Sequence, residues 1–160
     1  MEPDVICGNA NFAIPNTSIF DFGILTSTMH NAWVRAVCGR LESRIRYSAG
    51  IVYNNFPWPT PTDKQRTAIE AAAQAVLDAR AAHPGASLAD LYDPLTMPPD
   101  LVKAHQKLDA AVDAAYGYKG GSTDAARVAF LFGLYQQITS LLPADGGKPR
   151  RARRVNAEAV

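Results

Sequence analysis

The chain has 160 residues, of which 48% are apolar and 19% charged, and its formal net charge is +1. This composition favours a folded globular body over disorder, and the length suits one domain or two small subdomains that share a core. A global basic field is excluded, so any contact with nucleic acid must come from a local cluster. The two cysteines, Cys7 and Cys38, are too few for a disulfide framework or a zinc site built from Cys pairs. The start shows no signal-peptide pattern and no apolar run approaches the roughly 20 residues that span a bilayer, so we expect a cytoplasmic protein.

The N-terminal part predicts a small hairpin and then one long helix. Residues 5–7 and 12–14 are short β-type runs, and the Gly-Asn pair between them suits a tight turn. From Thr17 or Ser18, either of which can cap a helix, apolar residues recur at three- and four-residue steps as far as Gly39 or Leu41. We therefore expect an unbroken helix with one broad buried face.

The next segment predicts a polar turn, a strand and a rigid linker. Residues 42–48 are short, polar and charged, and residues 51–53 (Ile-Val-Tyr) have the composition of a strand. Residues 56–61 contain three prolines, which exclude a regular helix and fix an extended backbone. This linker is the best boundary between two parts of the chain.

Beyond residue 61 the sequence predicts three helices. Thr62 and Gln65 form a capping-box pattern ahead of an alanine-rich amphipathic segment, and Pro99 suits the first position of a second helix. From Pro143 the apolar periodicity is lost and basic residues are in excess, which predicts a disordered tail over residues 143–160. The predicted helices run from Thr62 to about His83, from Pro99 to about Tyr116 and from Thr123 to about Leu141, with a short helical turn over residues 87–92.

The predicted fold class is therefore α+β and predominantly α. A small β-containing segment with a long helix, residues 1–61, precedes a three-helix domain, residues 62–142.

No catalytic or metal site is predicted. Residues 21–23 spell a kinase metal-binding triplet but lie inside a helix without its partner motifs, and residues 117–123 lack the Gly-Lys-Ser/Thr of a phosphate loop. His30, His83 and His105 have no mutual metal-ligand spacing; a structural hydrogen bond is favoured for His30 and a solvated position for His105. The chain also lacks an adenosylmethionine-binding Gly-rich turn and the Asn-Pro-Pro-aromatic motif of amino-methylating enzymes.

A group of arginines is the remaining candidate for function. Arg35 and Arg40 lie on the polar side or end of the predicted first helix, and Arg44 and Arg46 alternate in the following segment, where an extended backbone would point them the same way. A guanidinium group can contact phosphate or span the acceptor pair of guanine, and short polar side chains fix register on a phosphate backbone. The alternative is a solvated, charge-balanced surface turn. The candidate DNA-contacting residues are Arg40, Ser43, Arg44, Arg46, Tyr47, Ser48, Asn54 and Asn55.

Several long motifs carry a family resemblance. They begin with Phe-Gly-Ile-Leu-Thr-Ser-Thr-Met-His-Asn-Ala-Trp at residues 22–33 and include Val-Tyr-Asn-Asn-Phe-Pro-Trp-Pro at residues 52–59. Through these motifs the chain, up to about Leu142, resembles the C-terminal part of MmeI-like (type IIL) enzymes, which are DNA adenine methyltransferases often fused to an endonuclease domain. Further motifs lie at residues 37–41, 43–48, 88–99, 108–117 and 127–132.

The resemblance implies a division of labour. Residues 1–61 would be the C-terminal part of a DNA target-recognition domain, and residues 62–142 a C-terminal helical domain. A methyltransferase core, in the same polypeptide or in a separate chain, would methylate adenine N6 with S-adenosylmethionine, while this chain would hold no cofactor or metal and be inactive alone.

The resemblance also implies which residues face double-stranded DNA. These are residues 43–48 and 54–55, although the family more often has an acidic residue where this chain has Arg44. Arginine at position 44 would change which base is preferred, or it would replace a structural pair made by the acidic residue with a contact to phosphate. The alternative function is a structural or protein-interaction module that braces a methyltransferase or nuclease without direct DNA contact.

Overall fold

The computed structural model describes residues 13–41 and 44–140, which are mostly helical with one two-stranded sheet. This confirms the predicted α+β class with its predominance of α. Apart from residues 13 and 14, the predicted N-terminal hairpin lies outside the described residues, as does the whole of the predicted tail. The elements are α1 Ile19–Thr26, α2 Thr28–Val37, β1 Gly39–Leu41, β2 Arg44–Arg46, a π-helical turn Ala49–Tyr53, α3 Asp63–Ala81, α4 Leu88–Leu91, α5 Pro99–Tyr116 and α6 Asp124–Thr139.

The prediction of one unbroken first helix is wrong, because the helix ends and restarts at Ser27. The backbone of Ser27 is extended (φ −67°, ψ 156°); its Oγ donates to the Ile24 carbonyl at 2.6 Å and accepts from the His30 backbone N–H at 3.3 Å. One side chain thus closes α1 and caps α2. The Thr28 N–H and hydroxyl then donate to the Asp109 carboxylate at 2.7 and 2.6 Å. Asp109 lies in α5, so the spacing of apolar residues around Ser27 does not reveal the break.

The predicted strand at residues 51–53 is also wrong. These residues belong to the π-helical turn Ala49–Tyr53, in which the Asn54 N–H donates to the Ala49 carbonyl at 2.9 Å. Val52 is fully buried, whereas Ile51 is 56% exposed. A short apolar run does not distinguish a strand from a helical segment, and here only the central residue has to point inward.

The helices beyond residue 61 confirm the predictions made from local signals. Thr62 and Gln65 form the expected reciprocal capping box at the start of α3. Pro99 is the first residue of α5, and the left-handed Gly117 (φ 64°) ends that helix. Capping is a local interaction between residues three apart, so the sequence is sufficient to place these helix starts.

The proline-rich linker has no regular secondary structure and is held against the core by its aromatic residues. Phe56 is 4% exposed, its ring centroid lies 5.5 Å from that of Trp58, and the Tyr116 hydroxyl donates to the Pro57 carbonyl at 2.8 Å. Trp58 packs against the same buried cluster, so both aromatic residues anchor the linker to the core.

A single hydrophobic core joins the parts on either side of the linker. Helix α1 packs on α3, α3 packs on α5, and α6 packs on α2. In the last of these contacts the buried Trp33 ring lies 5.2 Å from that of Phe132, and Ile69 and Leu108 belong to the same buried cluster. The core therefore fixes α2, and α2 leads directly into the sheet.

Candidate nucleic-acid interface

The two strands form a short antiparallel hairpin, called here the arginine hairpin (β1 and β2). Arg40 pairs with Ile45, Leu41 with Arg44, and Gly39 with Arg46. Because alternate positions of a strand lie on opposite faces, positions 44 and 46 share one face and position 40 belongs to the other. The extended backbone predicted for Arg44 and Arg46 is thus confirmed, whereas Arg40 does not share their face. Ser43 lies outside the described residues.

Among the candidate residues whose side chains the structure describes, two are exposed and available for a ligand. Arg46, at the end of β2, and Asn54, just after the π-helical turn, are both exposed. Neither side chain has a hydrogen bond or ion pair to the backbone and side chains that the structure describes. Ile45, between the two arginines of β2, is 48% exposed. In the part of the arginine hairpin whose side chains are described, the guanidinium group of Arg46 and the apolar side chain of Ile45 face solvent.

The base of the arginine hairpin is attached to α2 on both strands. The Cys38 thiol, one residue before β1, donates to the Arg46 carbonyl at 2.7 Å. The half-buried Tyr47, one residue after β2, has its hydroxyl 3.2 Å from Nε2 of His30. His30 is 3% exposed, and its ring lies edge-on to Phe56 with centroids 4.5 Å apart. This confirms the structural hydrogen bond predicted for His30.

Burial keeps this polar pair uncharged. Desolvation lowers the pKa of His30 to about 4. It also raises the pKa of Tyr47 to about 12, with smaller contributions from Tyr53 and Cys38. Both groups are therefore neutral near pH 7, and the link between α2 and β2 is a hydrogen bond between neutral side chains.

Asn55 holds the backbone next to the exposed Asn54. Its side-chain amide donates to the carbonyls of Gly50 and Ile51 at 2.8 and 3.0 Å. The indole N–H of Trp33 donates to the Val52 carbonyl at 3.1 Å, so the same turn is also tied to α2. Of the two candidate asparagines, one faces solvent and the other closes a turn.

Arg35 is separated from the arginine group by an ion pair. Its Nε and a terminal nitrogen lie 2.5 and 3.0 Å from the two carboxylate oxygens of Asp124 in the first turn of α6. The hydrogen bonds from Arg35 hold the pKa of the Asp124 carboxyl below its usual value. Arg35 thus joins α2 to α6, a role that the sequence does not indicate because Asp124 also suits its own helix dipole.

The other histidines have ordinary structural surroundings. His105 is half-buried, and its Nε2 lies 2.7 Å from the Tyr92 hydroxyl, so its predicted solvated position is wrong. His83 lies 3.1 Å from the carboxylate of Asp100. In the described part of the chain no group of three or more potential ligand side chains is placed to hold a metal ion. Within the same residues, no helix has both the length and the hydropathy needed to cross a bilayer.

Comparisons with known proteins match both parts of the chain. Family models described as "MmeI, target recognition domain" and "MmeI, C-terminal domain" match residues 1–60 and 61–143. DNA methyltransferase A of Bacillus subtilis (strain 168) is 44% identical over 136 residues, which make up 85% of this chain and 15% of that protein. A solved structure of the type IIL restriction-modification enzyme MmeI in complex with DNA is 62% identical, with a TM-score of 0.78 over 80% of this chain and 17% of that chain. The chain thus spans less than a fifth of the length of these relatives.

Proposed function

The chain belongs to the MmeI family, and on that premise we propose that its arginine hairpin contacts double-stranded DNA and helps to read a specific sequence. This sequence recognition serves an adenine-N6 methyltransferase of a restriction-modification system, and the enzyme is located in the cytoplasm. The methyl transfer belongs to a catalytic core in the same polypeptide or a separate chain, where S-adenosylmethionine supplies the methyl group. The chain itself contributes recognition and support.

The observation that carries this proposal is the exposed Arg46 on a two-stranded ribbon that directly follows the packed helix α2. Its position shares a face with Arg44. A major groove is wide enough for a two-stranded β-ribbon, and arginine is the side chain that most often contacts guanine there. Because the net charge of the chain is only +1, a local arginine pair supplies attraction to phosphate that the whole molecule does not.

The eight candidate residues divide into two roles under this proposal. Tyr47 and Asn55 support the backbone, since their polar atoms already bond within the protein. The remaining residues make the contacts, and Arg40 is assigned to a phosphate because its position belongs to the opposite face of the ribbon. The contacting set is Arg40, Ser43, Arg44, Arg46, Ser48 and Asn54.

The test measures binding of the 160-residue chain to duplex DNA by fluorescence anisotropy at two salt concentrations. Deleting residues 143–160 should leave binding by the body of the chain. Arg44→Ala with Arg46→Ala should weaken it by at least about tenfold and reduce the salt slope by roughly 2, close to one counterion per phosphate contact. The matched control is Lys103→Ala with Lys107→Ala, which removes two exposed positive charges from α5.

The structural or interaction module is the second candidate. It is favoured by two strongly exposed leucines, Leu88 (62%) in α4 and Leu95 (94%) in the turn after it, which are suited to contact another protein surface. If deletion of residues 143–160 abolishes all DNA binding, this candidate replaces the first. A catalytic function of the chain alone is tested with labelled S-adenosylmethionine, and we expect no incorporation into DNA above background.

A further inference from the structure

The hydrogen bond between His30 and Tyr47 is a buried polar contact that joins the core to the arginine hairpin. It spans 3.2 Å between Nε2 on α2 and the hydroxyl of the residue that directly follows β2. Within the described residues the other ring nitrogen of His30, Nδ1, is buried without a hydrogen-bond partner. A buried polar group that is only half satisfied costs stability, so packing alone does not account for a histidine at this position.

His30 is itself held rigidly. Its backbone N–H donates to Ser27 Oγ in the first turn of α2, and its ring is fixed against the buried Phe56. The next turn of α2 carries Trp33, which is 2% exposed and packs on α6. The ring nitrogen that faces Tyr47 therefore has a direction set by the core and not by the hairpin.

The arginine hairpin, in contrast, is too short to define its own direction. Each strand has three residues, and an isolated two-stranded ribbon is marginally stable. Two contacts at its base tie it to α2, namely the Cys38 thiol on the Arg46 carbonyl and the Tyr47 hydroxyl on His30. Tyr47 is one residue from Arg46, roughly 3.3 Å along an extended chain. A small rotation at Tyr47 thus moves the Arg46 guanidinium, at the end of a long side chain, by a larger distance.

We propose that His30 is a positioning residue for DNA recognition, which holds the Tyr47 hydroxyl through Nε2 and thereby fixes the direction of Arg46. His30 does not touch DNA in this role. The inference rests on the proposed function, since it assigns a positioning group to the same DNA-contacting surface. It predicts that DNA affinity depends on a buried side chain of α2 that faces away from solvent.

The experiment compares Tyr47→Phe with Tyr92→Phe in the full 160-residue chain. Tyr92 is a matched control because its hydroxyl also bonds a histidine, His105, at 2.7 Å, and additionally accepts from Arg80. Tyr92→Phe removes bonds from Arg80 in α3 and to His105 in α5, which lie outside the arginine hairpin. Two properties are measured: hydrogen–deuterium exchange of the β2 amides, and affinity for duplex DNA.

We expect Tyr47→Phe to speed exchange in β2 and to weaken DNA binding about five- to tenfold, the size of one hydrogen bond's contribution. Tyr92→Phe should change neither property. His30→Phe, which keeps an aromatic ring against Phe56, should weaken binding to the same extent, and the double variant should be no weaker than either single one, because all three remove the same contact.

The outcomes separate the inference from the proposed function. If the unmodified chain binds duplex DNA but Tyr47→Phe behaves like Tyr92→Phe, the positioning role is wrong and the proposed function stands. Additive losses in the double variant also contradict the positioning role, because the two side chains would then act separately. If the unmodified chain itself fails to bind duplex DNA, the proposed function fails and the inference fails with it.

Discussion

Asn54 and Asn55 are neighbours in the chain with opposite surroundings. The Asn54 side chain is exposed and has no bond to the described residues, whereas the Asn55 amide bonds two carbonyls of the π-helical turn. The same contrast separates Arg46 from Tyr47. In both pairs, one residue faces solvent and its neighbour in the chain holds the backbone in place.

The asparagine pair gives a prediction in which each variant is the control for the other. Asn55→Ala should lower the free energy of unfolding by about 1–2 kcal/mol, because two backbone carbonyls lose their donor. Asn54→Ala should change stability by less than about 0.5 kcal/mol but weaken DNA binding. Chemical denaturation and anisotropy measure the two effects. A loss of stability in Asn54→Ala, or unchanged DNA binding in that variant, would contradict the assignment.

His30 predicts a dependence of stability on pH. Burial lowers its pKa to about 4 in the folded chain, against the ordinary value of 6.5. As the pH falls from 6.5 towards 4, the unfolded chain takes up a proton that the folded chain does not, so the free energy of unfolding falls across this window. The stabilisation is fully present above pH 6.5, and the total loss corresponds to about 3 kcal/mol.

Denaturation curves of the unmodified chain and of His30→Phe, measured between pH 7 and 4, test this dependence. The decline should be shallower in the variant. Part of it should remain, because burial and the nearby charge of Arg80 also lower the pKa of His105. Parallel curves for the two proteins would show that His30 does not titrate as expected.

Helices α1 and α3 pack so closely at Gly23 that the contact leaves no room for a side chain there. A Cβ on Gly23 would lie 2.9 Å from Cγ2 of Ile69 and 3.1 Å from Cβ of Ala73, both of which are fully buried. In α6, a Cβ on Gly133 would meet no atom within 4 Å. The two glycines occupy the same kind of backbone but differ in what surrounds them.

Alanine at these two positions should therefore have effects of opposite sign. Gly133→Ala should raise the free energy of unfolding by about 0.5–1 kcal/mol through helix propensity. Gly23→Ala should lower the free energy of unfolding by about 1–3 kcal/mol, because the cost of overpacking against the buried Ile69 exceeds the gain in helix propensity. Thermal denaturation measures both. If Gly23→Ala is stabilising, α1 and α3 are not as close as described.

The elements that the sequence predicts correctly depend on local interactions. The capping box of Thr62 and Gln65 and the position of Pro99 follow from residues within one helical turn. The break at Ser27 combines the local cap made by the Ser27 hydroxyl with a bond from Thr28 to Asp109, which is 81 residues away. No apolar spacing near Ser27 encodes that contact, so the predicted helix continued through it.

The candidate site is predictable to a similar extent. Alternation of Arg44 and Arg46 correctly indicates an extended backbone, and their sharing of a face follows from it. The sequence could not show that Arg40 belongs to the other face, which depends on the pairing register, or that Arg35 pairs with Asp124 in α6. The anchoring of Arg46 by Cys38 was likewise missed, since a lone cysteine reads as a buried thiol.

For the whole molecule, the core extends across the boundary between the two matched family segments. Ile24 and Trp33 on one side belong to the same buried cluster as Ile69 and Leu108 on the other. The Thr28–Asp109 hydrogen bonds reinforce this connection near the protein surface. The helical part thus supports α2 and, through α2, the arginine hairpin.

This shared core predicts that the chain unfolds in one cooperative transition. Residues 1–60 and 61–143, produced separately, should each lose most of the cooperative melting of the intact chain, because each exposes apolar surface that the other covers. Circular dichroism during heating is the measurement. Two resolved transitions in the intact chain, or a separate segment that melts at the same temperature as the chain, would show that the halves are independent.

The most direct test of DNA reading is selection from a random duplex library by the chain lacking residues 143–160. We predict that a common sequence motif is enriched, and that Arg44→Ala with Arg46→Ala loses or changes that motif while Lys103→Ala with Lys107→Ala retains it. Bound duplexes with no shared motif, or a motif that is the same with and without the two hairpin arginines, would contradict recognition by the arginine hairpin.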